Sequence, residues 1–206
     1  AVGAEGGFSF WIASAYYDRY LVNQDPYVLR YVDKLKRNYN TWERLQYDKN
    51  TGLYWQYCGA DGMENSVSLG YWGAGYRPTI NSYQYGDAMA IAALCRLTSD
   101  ENGAQRYAEK AASIREATNA LLWDADDHFY KQIERGKTTL VEPREEIGFV
   151  PWMFNLPEDS EEYGRAWEAL MDEEAFLSPF GPRTAEKAYA RTPDPSEYGG
   201  GVCHWN

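Results

Sequence analysis

The segment from Asn81 to Leu97 constrains the fold most, because it is too apolar to lie at a protein surface. It contains the run Ala88-Met-Ala-Ile-Ala-Ala-Leu94, whereas a surface helix carries polar residues along one side. We therefore predict a helix that is buried on nearly all sides. Such a helix requires neighbouring helices that cover it.

Further helices are predicted on both sides of this segment by apolar residues at helical spacing. Asp25 followed by Pro26 is typical of a helix start, with an aspartate N-cap and a proline at the first position. Residues 123–132 carry an aspartate-rich turn between aromatic residues, which predicts a short β-hairpin, and residues 69–79 are predicted to form a loop. The other predicted helices span residues 8–22, 26–45, 104–122, 142–156 and 160–171, with interruptions at Gly148 and Pro151.

The alternation of an apolar inner helix, an amphipathic outer helix and a long loop is typical of repeated helical hairpins. A closed ring of six hairpins needs about twelve helices, and this chain provides about half of them. Both ends of the chain fall inside a pattern. We therefore expect residues 1–206 to be part of one all-α domain, truncated at both ends, that forms about half of a six-hairpin toroid.

The charge balance argues against several classes of partner. The chain of 206 residues has 20 Lys and Arg against 31 Asp and Glu, which gives a net charge of −11. No basic patch would displace counterions from a nucleic acid or bind an anionic membrane surface. No apolar run approaches the length of about 20 residues that crosses a bilayer. We therefore expect neither a nucleic-acid partner nor a membrane partner.

Cysteine and histidine are too few to indicate a metal or a cofactor. The three cysteines, Cys58, Cys95 and Cys203, are far apart in the sequence, and the histidines are His128 and His204. Neither a disulfide framework nor a zinc-binding spacing is present. We expect no cofactor and no metal. The compartment is left open, with the cytoplasm slightly favoured.

Two acids lie on a glycine-rich turn directly after an aromatic run. The stretch Gly52-Leu-Tyr-Trp-Gln-Tyr-Cys-Gly-Ala-Asp-Gly-Met-Glu64 places Asp61 and Glu64 behind three aromatic residues, in a chain with 18 Tyr and 8 Trp. Flat rings stack on a pyranose, and a carboxyl group can bind sugar hydroxyls or protonate a glycosidic oxygen. This combination favours a carbohydrate site. A solvated turn beside core aromatics is the other interpretation.

Four motifs occur in an order and at a spacing that resemble one group of glycosidases. They are Gly62-Met-Glu-Asn-Ser66, Thr79-Ile-Asn-Ser82, Leu122-Trp-Asp-Ala-Asp-Asp-His-Phe-Tyr130 and Ile147-Gly-Phe-Val-Pro151. Over nearly its whole length the chain resembles the (α/α)6-barrel glycosidases of the trehalase and processing-glucosidase clan, glycoside hydrolase families 37 and 63. It is most similar to their mannosylglycerate-hydrolase-like domains. The resemblance implies a partial (α/α)6 toroid and an inverting α-glycosidase that acts on α-linked glucosides, mannosides or related small oligosaccharides.

The resemblance also implies catalytic roles. Glu64 stands at the position of the general acid, where the clan usually has aspartate, so the side chain here is one methylene longer. Asp61 is the reserve candidate for the acid, and its alternative roles are to bind a sugar hydroxyl or to shape the turn. The general base is expected beyond the end of this chain. Glu145 and Glu146 are further candidates for the base, but pairing with Arg144 or helix capping is favoured for them.

Substrate-binding residues are expected where the loops and the first turns of the inner helix would line a cleft. Asp87 would be costly to bury unpaired in an apolar helix, so it either binds a sugar or pairs with an arginine such as Arg77. The candidates for substrate binding are Trp55, Arg77, Tyr83, Asp87 and Trp205.

Two other classes of function remain open from the sequence. A non-catalytic α-hairpin module would bind carbohydrate or protein, but it would show repeats of near-constant length, which this chain lacks. A lyase or epimerase of helical hairpins would use tyrosine or histidine as its base, and the sequence has only two histidines.

The glycosidase interpretation implies its own partners. They are the carbohydrate substrate and either the rest of the barrel or a second copy of the chain, which would cover an open apolar flank on inner helices such as residues 81–97. The isolated chain, which would lack the general base, is expected to be catalytically inactive.

Overall fold

One buried helix forms the centre of the fold. A computed structural model describes residues 8–63 and 65–189. The central helix α3 spans Pro78–Leu97, and sixteen of its 20 residues are buried. The predicted inner helix is therefore confirmed, and it begins three residues earlier than the apolar run indicated. Pro78 lies in its first turn. The amide groups of the first turn have no partner within a helix, so a proline there, which has no amide hydrogen, costs no hydrogen bond.

Three long helices pack against α3. The first two are joined by a 3₁₀ turn at Pro26–Tyr31, in which the carboxylate of Asp25 accepts a hydrogen bond from the amide of Tyr27 at 2.9 Å. The predicted N-cap is therefore confirmed. In the same way Asp100 accepts from the amide of Gly103 at 2.9 Å and begins the helix after α3. The helices that contact α3 are α1 (Ile12–Asn23), α2 (Val32–Gln46) and α4 (Glu101–Leu122).

The C-terminal part contains shorter helices than the sequence pattern predicted. Residues 142–156 form a 3₁₀ turn at Glu146–Phe149 followed by the helix α5 (Val150–Met153). Pro151 has no amide hydrogen and its ring would clash with the preceding turn, so it interrupts the helix predicted through residues 142–156. It is tolerated in the first turn of a helix, which is where it lies in α5. The helix predicted at 160–171 begins at the N-cap Ser160 but divides into α6 (Glu161–Gly164) and α7 (Ala166–Leu170).

Small antiparallel sheets cover one end of the helices. The β-hairpin predicted at residues 123–132 is confirmed, with Trp123 paired to Tyr130. Residues 69–79, predicted to be a loop, instead contain strand residues that pair with the aromatic run of residues 53–57. The strands are β1 (Tyr47–Asp48), β2 (Leu53–Tyr57), β3 (Asn65–Ser66), β4 (Gly70–Tyr71), β5 (Ala74–Tyr76), β6 (Trp123–Asp124), β7 (Phe129–Tyr130) and β8 (Ile133–Glu134). The strand order is β1-β2-β5-β8 in one sheet, beside the pairs β3-β4 and β6-β7.

The apolar surface of α3 is almost entirely covered. Of the large apolar side chains of this helix, all of which the structure describes, Met89 and Leu97 are exposed. The open apolar flank expected on α3 is therefore reduced to these two side chains. More apolar surface lies at the end of α1, where Leu21 and Val22 are 53% and 87% exposed. No helix within the described ranges is long and apolar enough to cross a bilayer.

Gly86 lets a phenylalanine ring pack directly on the backbone of α3. A Cβ atom added at Gly86 would lie 2.2 Å from Cδ1 of Phe154. The ring of Phe154 has little freedom to move away, because it also packs against Trp11 and Tyr83 at centroid distances of 6.0 Å and 5.9 Å.

We therefore predict that Gly86→Ala lowers the free energy of unfolding by about 1–3 kcal/mol, the usual effect of overpacking a core. The matched control is Gly164→Ala in α6, where no described atom lies within 4 Å of an added Cβ. This control should raise the free energy of unfolding by about 0.5–1 kcal/mol, because alanine favours the helix. Urea denaturation of both variants measures the effect, and equal changes would contradict the packing role of Gly86.

Candidate active site

The acidic turn follows a half-buried strand. Along β2 the side chains alternate, so that Tyr54 and Gln56 are buried while Trp55 and Tyr57 are partly exposed on the other face. The chain then makes a 3₁₀ turn at Cys58–Asp61. Gly62 follows with a positive φ of 85°, a conformation that glycine adopts without steric cost. This turn points the carboxylate of Asp61 back toward the start of α3.

Asp61 is fully enclosed by hydrogen-bond donors. Its Oδ2 and Oδ1 atoms lie 2.8 Å and 3.2 Å from Nε and Nη2 of Arg77, and neither side chain is exposed. Oδ2 also accepts from the amide of Gln56 at 2.8 Å and from the hydroxyl of Thr79. A two-pronged ion pair with additional donors is the arrangement that makes a buried carboxylate tolerable. Asp61 therefore fastens the turn to the first residues of α3.

Arg77 lies between two carboxyl groups. Besides Asp61, its Nη1 donates to Oε1 of Gln132, whose own amide nitrogen donates to Glu145. Burial opposes the charge of Arg77, but the nearby carboxylates of Asp61 and Glu145 outweigh this effect and raise the pKa of the guanidinium. Arg77 is therefore a permanent buried cation that links the two acids.

Glu145 is the second buried acid of this region, and it is only 4% exposed. It accepts hydrogen bonds at 2.9 Å from the amide of Val67 and from the hydroxyl of Ser66, and it also accepts from the hydroxyl of Ser68. Burial raises the pKa of Glu145, while Arg77 and these hydrogen bonds act in the opposite direction.

The prediction that Glu145 or Glu146 pairs with Arg144 was wrong. Arg144 pairs instead with Glu186, at 2.7 Å between Nη2 and Oε2. Glu145 precedes the 3₁₀ turn at residues 146–149 but makes no side-chain cap. Burial raises the pKa of Glu146, and within the described residues its carboxyl accepts no hydrogen bond. The two neighbouring glutamates thus have different surroundings.

These side chains form a single polar network around the acidic turn. It runs from Asp61 through Arg77 and Gln132 to Glu145, and from there to the serines that follow the turn. Sequence reasoning had identified Asp61, Arg77 and Glu145 separately, but it missed Gln132 and Ser68. The signal that could have found Gln132 is its polar amide at the end of a buried aromatic hairpin, where an unpaired amide would be costly.

The aromatic candidates differ in exposure. Trp55 is half-buried, and the guanidinium carbon of Arg135 lies 3.6 Å from the centre of its ring. Tyr83 is only 6% exposed and packs against Trp11 at a centroid distance of 5.0 Å. Burial raises the pKa of Tyr83, so its hydroxyl stays neutral. Trp55 is therefore partly exposed with Arg135 over its ring, whereas Tyr83 belongs mainly to the core.

Asp87 pairs with the backbone of another helix and not with Arg77. Its Oδ1 accepts from the amide of Ser14 at 3.0 Å, in the first turn of α1. The side chain of Trp11 provides no cap for α1, so Asp87 takes the place of an N-cap from a distant position in the sequence. Burial raises the pKa of Asp87 to about 7, although the hydrogen bonds from Ser14 and Ala13 oppose this shift.

Two of the candidates lie outside the described residues. These are Glu64, the proposed general acid, and Trp205, a proposed substrate contact. The residues on both sides of Glu64 are described, and both sides are held by the network: Asp61 precedes it by three positions and Ser66 follows it by two.

Comparison with known proteins identifies the family. Residues 5–206 match the model of the mannosylglycerate hydrolase MGH1-like glycoside hydrolase domain. The chain belongs to this family. A curated relative, an uncharacterized protein of Borreliella burgdorferi, is 27% identical over 132 residues, which is 64% of this chain and 26% of that protein.

Solved structures of related fold include a sialidase and a Thermus thermophilus enzyme. The sialidase superposes with a TM-score of 0.84 at 38% identity, over 96% of this chain and 18% of its own. The mannosylglycerate hydrolase of glycoside hydrolase family 63 from Thermus thermophilus, solved in complex with glucose, gives a TM-score of 0.69 at 15% identity. It is matched over 86% of this chain and 57% of its own. The fold is therefore that of a partial all-α toroid with a short β-hairpin, as predicted, and the chain spans only part of each relative.

The raised pKa of Asp87 predicts a pH-dependent stability. The folded state holds this proton more tightly than the unfolded state, so the stabilisation is fully present below about pH 4 and is lost as the pH rises through about 7. Asp87→Asn keeps an oxygen acceptor but cannot ionise. Relative to the parent protein, this variant should therefore become more stable as the pH is raised through that window.

Urea denaturation at a series of pH values measures this difference. The control is Asp126→Asn, which makes the same chemical change at an exposed position. A constant difference between the Asp87→Asn variant and the parent protein across the window would contradict the prediction.

Proposed function

We propose that this chain supplies the general-acid side of the active site of an inverting α-glycosidase. The substrates would be α-linked glucosides, mannosides or related small oligosaccharides. The observation that carries the proposal is the anchoring of Asp61 and of residues 66–68, which flank Glu64, by buried side chains near the N-terminal end of α3, in a chain that belongs to a glycoside hydrolase family.

In this mechanism Glu64 donates a proton to the glycosidic oxygen as the bond between that oxygen and the anomeric carbon breaks. A carboxylate on the opposite face of the sugar removes a proton from water, whose oxygen bonds to the anomeric carbon. The two groups must be roughly 6.5–9.5 Å apart to leave room for that water. We place the second carboxylate beyond residue 206. Asp61 is the reserve candidate for the acid, but its ion pair with Arg77 favours a supporting role.

The exposure of each candidate side chain decides the role in substrate binding that we propose for it. Trp55 has a partly exposed ring, and the guanidinium of Arg135 lies over it. A pyranose that stacks on this ring would therefore share it with Arg135 or displace that side chain. Arg77, Tyr83 and Asp87 are each less than a tenth exposed, which favours a role in supporting the site over direct contact with sugar. Trp205 remains a proposed contact from the sequence.

The decisive experiment is Glu64→Gln in the full-length protein that contains this chain. The amide cannot donate the proton that the leaving group needs, so we expect turnover of aryl α-glucosides or α-mannosides to fall by a factor of about 10²–10⁴. The fold should be unchanged by circular dichroism. Proton NMR of the first-formed anomer reports whether hydrolysis inverts the configuration.

The matched control is Glu134→Gln, which removes an exposed carboxyl from strand β8 and should leave turnover unchanged. If Glu64→Gln keeps half of the activity, the assignment of the acid is wrong. If the unmodified protein binds sugars without any turnover, the non-catalytic binding module replaces the glycosidase as the best interpretation.

A second prediction concerns residues 1–206 in isolation. An acid without an opposing base cannot activate water, so we expect this chain alone to have no activity on aryl α-glycosides. We also expect it to be stable only when the rest of the barrel or a second copy covers its exposed apolar side chains, such as Leu21 and Val22. Activity assays combined with light scattering measure both properties. A compact monomer with turnover that depends on Glu64 would place the base within these residues.

A further inference from the structure

The loop that carries the proposed acid is held from both sides by buried charges. On its N-terminal side Asp61 is bound by Arg77, and on its C-terminal side residues 66–68 are bound by Glu145. We propose that Glu145 is a positioning residue, which holds the segment 66–68 in place and thereby sets the position of the acid on the loop. This inference rests on the function proposed above.

The number of donors around Glu145 shows that its carboxyl acts as an anchor. The amide of Val67 donates to Oε1, and the amide nitrogen of Gln132 donates to Oε2. Because an N–H group can only donate, both oxygens of Glu145 serve as acceptors. The hydroxyls of Ser66 and Ser68 add further bonds. Bonds to both serines and to the backbone between them restrain three consecutive residues of the loop.

Gln132 joins this anchor to the one on the other side. Its Oε1 accepts from Arg77, so its Nε2 must face Glu145. The amide therefore has only one orientation that satisfies both partners. Through Arg77 it connects Glu145 with Asp61, and the two ends of the loop are fixed relative to one another and to the N-terminal end of α3.

The same contacts argue against Glu145 as the general base. A base must reach a water molecule beside the sugar, whereas Glu145 is 4% exposed and its two oxygens are already occupied by described donors. Its neighbour Glu146 is half-buried and accepts no hydrogen bond from the described residues. Because Glu146 is itself a candidate for the base, the matched control for the removal of a carboxylate charge is the exposed Glu134 on strand β8.

The variant Glu145→Gln tests the role in the full-length protein. It replaces one acceptor oxygen by an NH₂ group, which faces an N–H donor in either orientation, that of Val67 or that of Gln132. We therefore expect the anchor of the segment 66–68 to rearrange. A displacement of about 1 Å at a catalytic group can reduce the rate about 10²-fold. The loss should depend on the leaving group, because a poor leaving group needs protonation by a well-placed acid and a good one does not.

Two substrates distinguish a misplaced acid from a general loss of activity. A methyl α-glycoside has a poor leaving group and needs the acid, whereas the corresponding α-glycosyl fluoride needs it far less. For Glu145→Gln we expect kcat on the methyl glycoside to fall by about 10- to 100-fold and kcat on the fluoride by less than about threefold, with KM little changed. Glu134→Gln, at the exposed position on strand β8, should leave both rates unchanged. Equal losses on both substrates, or the same loss in Glu134→Gln, would overturn the proposal.

Ser68→Ala provides a milder test if Glu145→Gln fails to fold. It removes one donor to Glu145 and should change the rate ratio of the two substrates in the same direction. An unchanged ratio in a folded Ser68→Ala protein would overturn the positioning role.

The double variant Glu64→Gln/Glu145→Gln shows whether Glu145 acts through the acid. In the Glu64→Gln background, the second change should not alter the substrate ratio further, because no acid remains to be positioned. If the two effects multiply, Glu145 acts independently and the proposal is overturned. If Glu64→Gln abolishes turnover of the methyl glycoside but Glu145→Gln leaves the ratio intact, the proposed function stands and only the positioning role is lost.

Discussion

The buried ion pair between Asp61 and Arg77 is the interaction on which the arrangement of the site depends. Two charges without any solvent exposure are costly unless each is fully paired. Further hydrogen bonds complete the pairing: Asp61 also accepts from Gln56 and Thr79, and Arg77 donates to Gln132. Removal of any member would leave a buried group without its partner. The strand β2, the acidic turn and the start of α3 therefore have one arrangement that satisfies them all.

The central helix gives this network a rigid support. Because α3 is covered by α1, α2 and α4, its N-terminal residues have little freedom to move. Asp87, a candidate for substrate binding from the sequence, accepts a hydrogen bond from the first turn of α1. The buried polar residues of α3 thus have different partners: Thr79 binds the acidic turn, Asn81 binds the backbone of β2, and Asp87 binds a neighbouring helix.

The site has two parts, the segment 61–68 and the buried side chains that lie behind it. Arg77, Gln132 and Glu145 lie on different parts of the chain and converge behind the segment 61–68, while Trp55 presents its ring from the adjacent strand. Catalytic groups need to be held within fractions of an ångström by the residues behind them. In the mechanism proposed above the acid lies on this loop, where it needs this kind of support more than it would on a helix.

The sequence alone determined the long helices, because periodicity and capping are local properties. The apolar run 81–97, the N-cap Asp25 and the hairpin at 123–132 each follow from residues that are neighbours in the chain. The ordered motifs likewise indicated the family without coordinates. Strands of two to five residues were missed at 47–76, since such short elements carry too little pattern to distinguish them from a loop.

Only the tertiary structure decided which buried charges meet. From the sequence, Glu145 and Glu146 were expected to pair with Arg144 or to cap a helix, and Asp87 was expected to bind a sugar or to pair with an arginine such as Arg77. Instead Glu145 binds a loop 77 to 79 residues away, and Asp87 binds the backbone of Ser14, 73 residues away. A charge pairs with whichever partner the packing brings close, and sequence separation carries no information about that distance. The polar network behind the acidic turn could therefore be found only after the helices had been placed around α3.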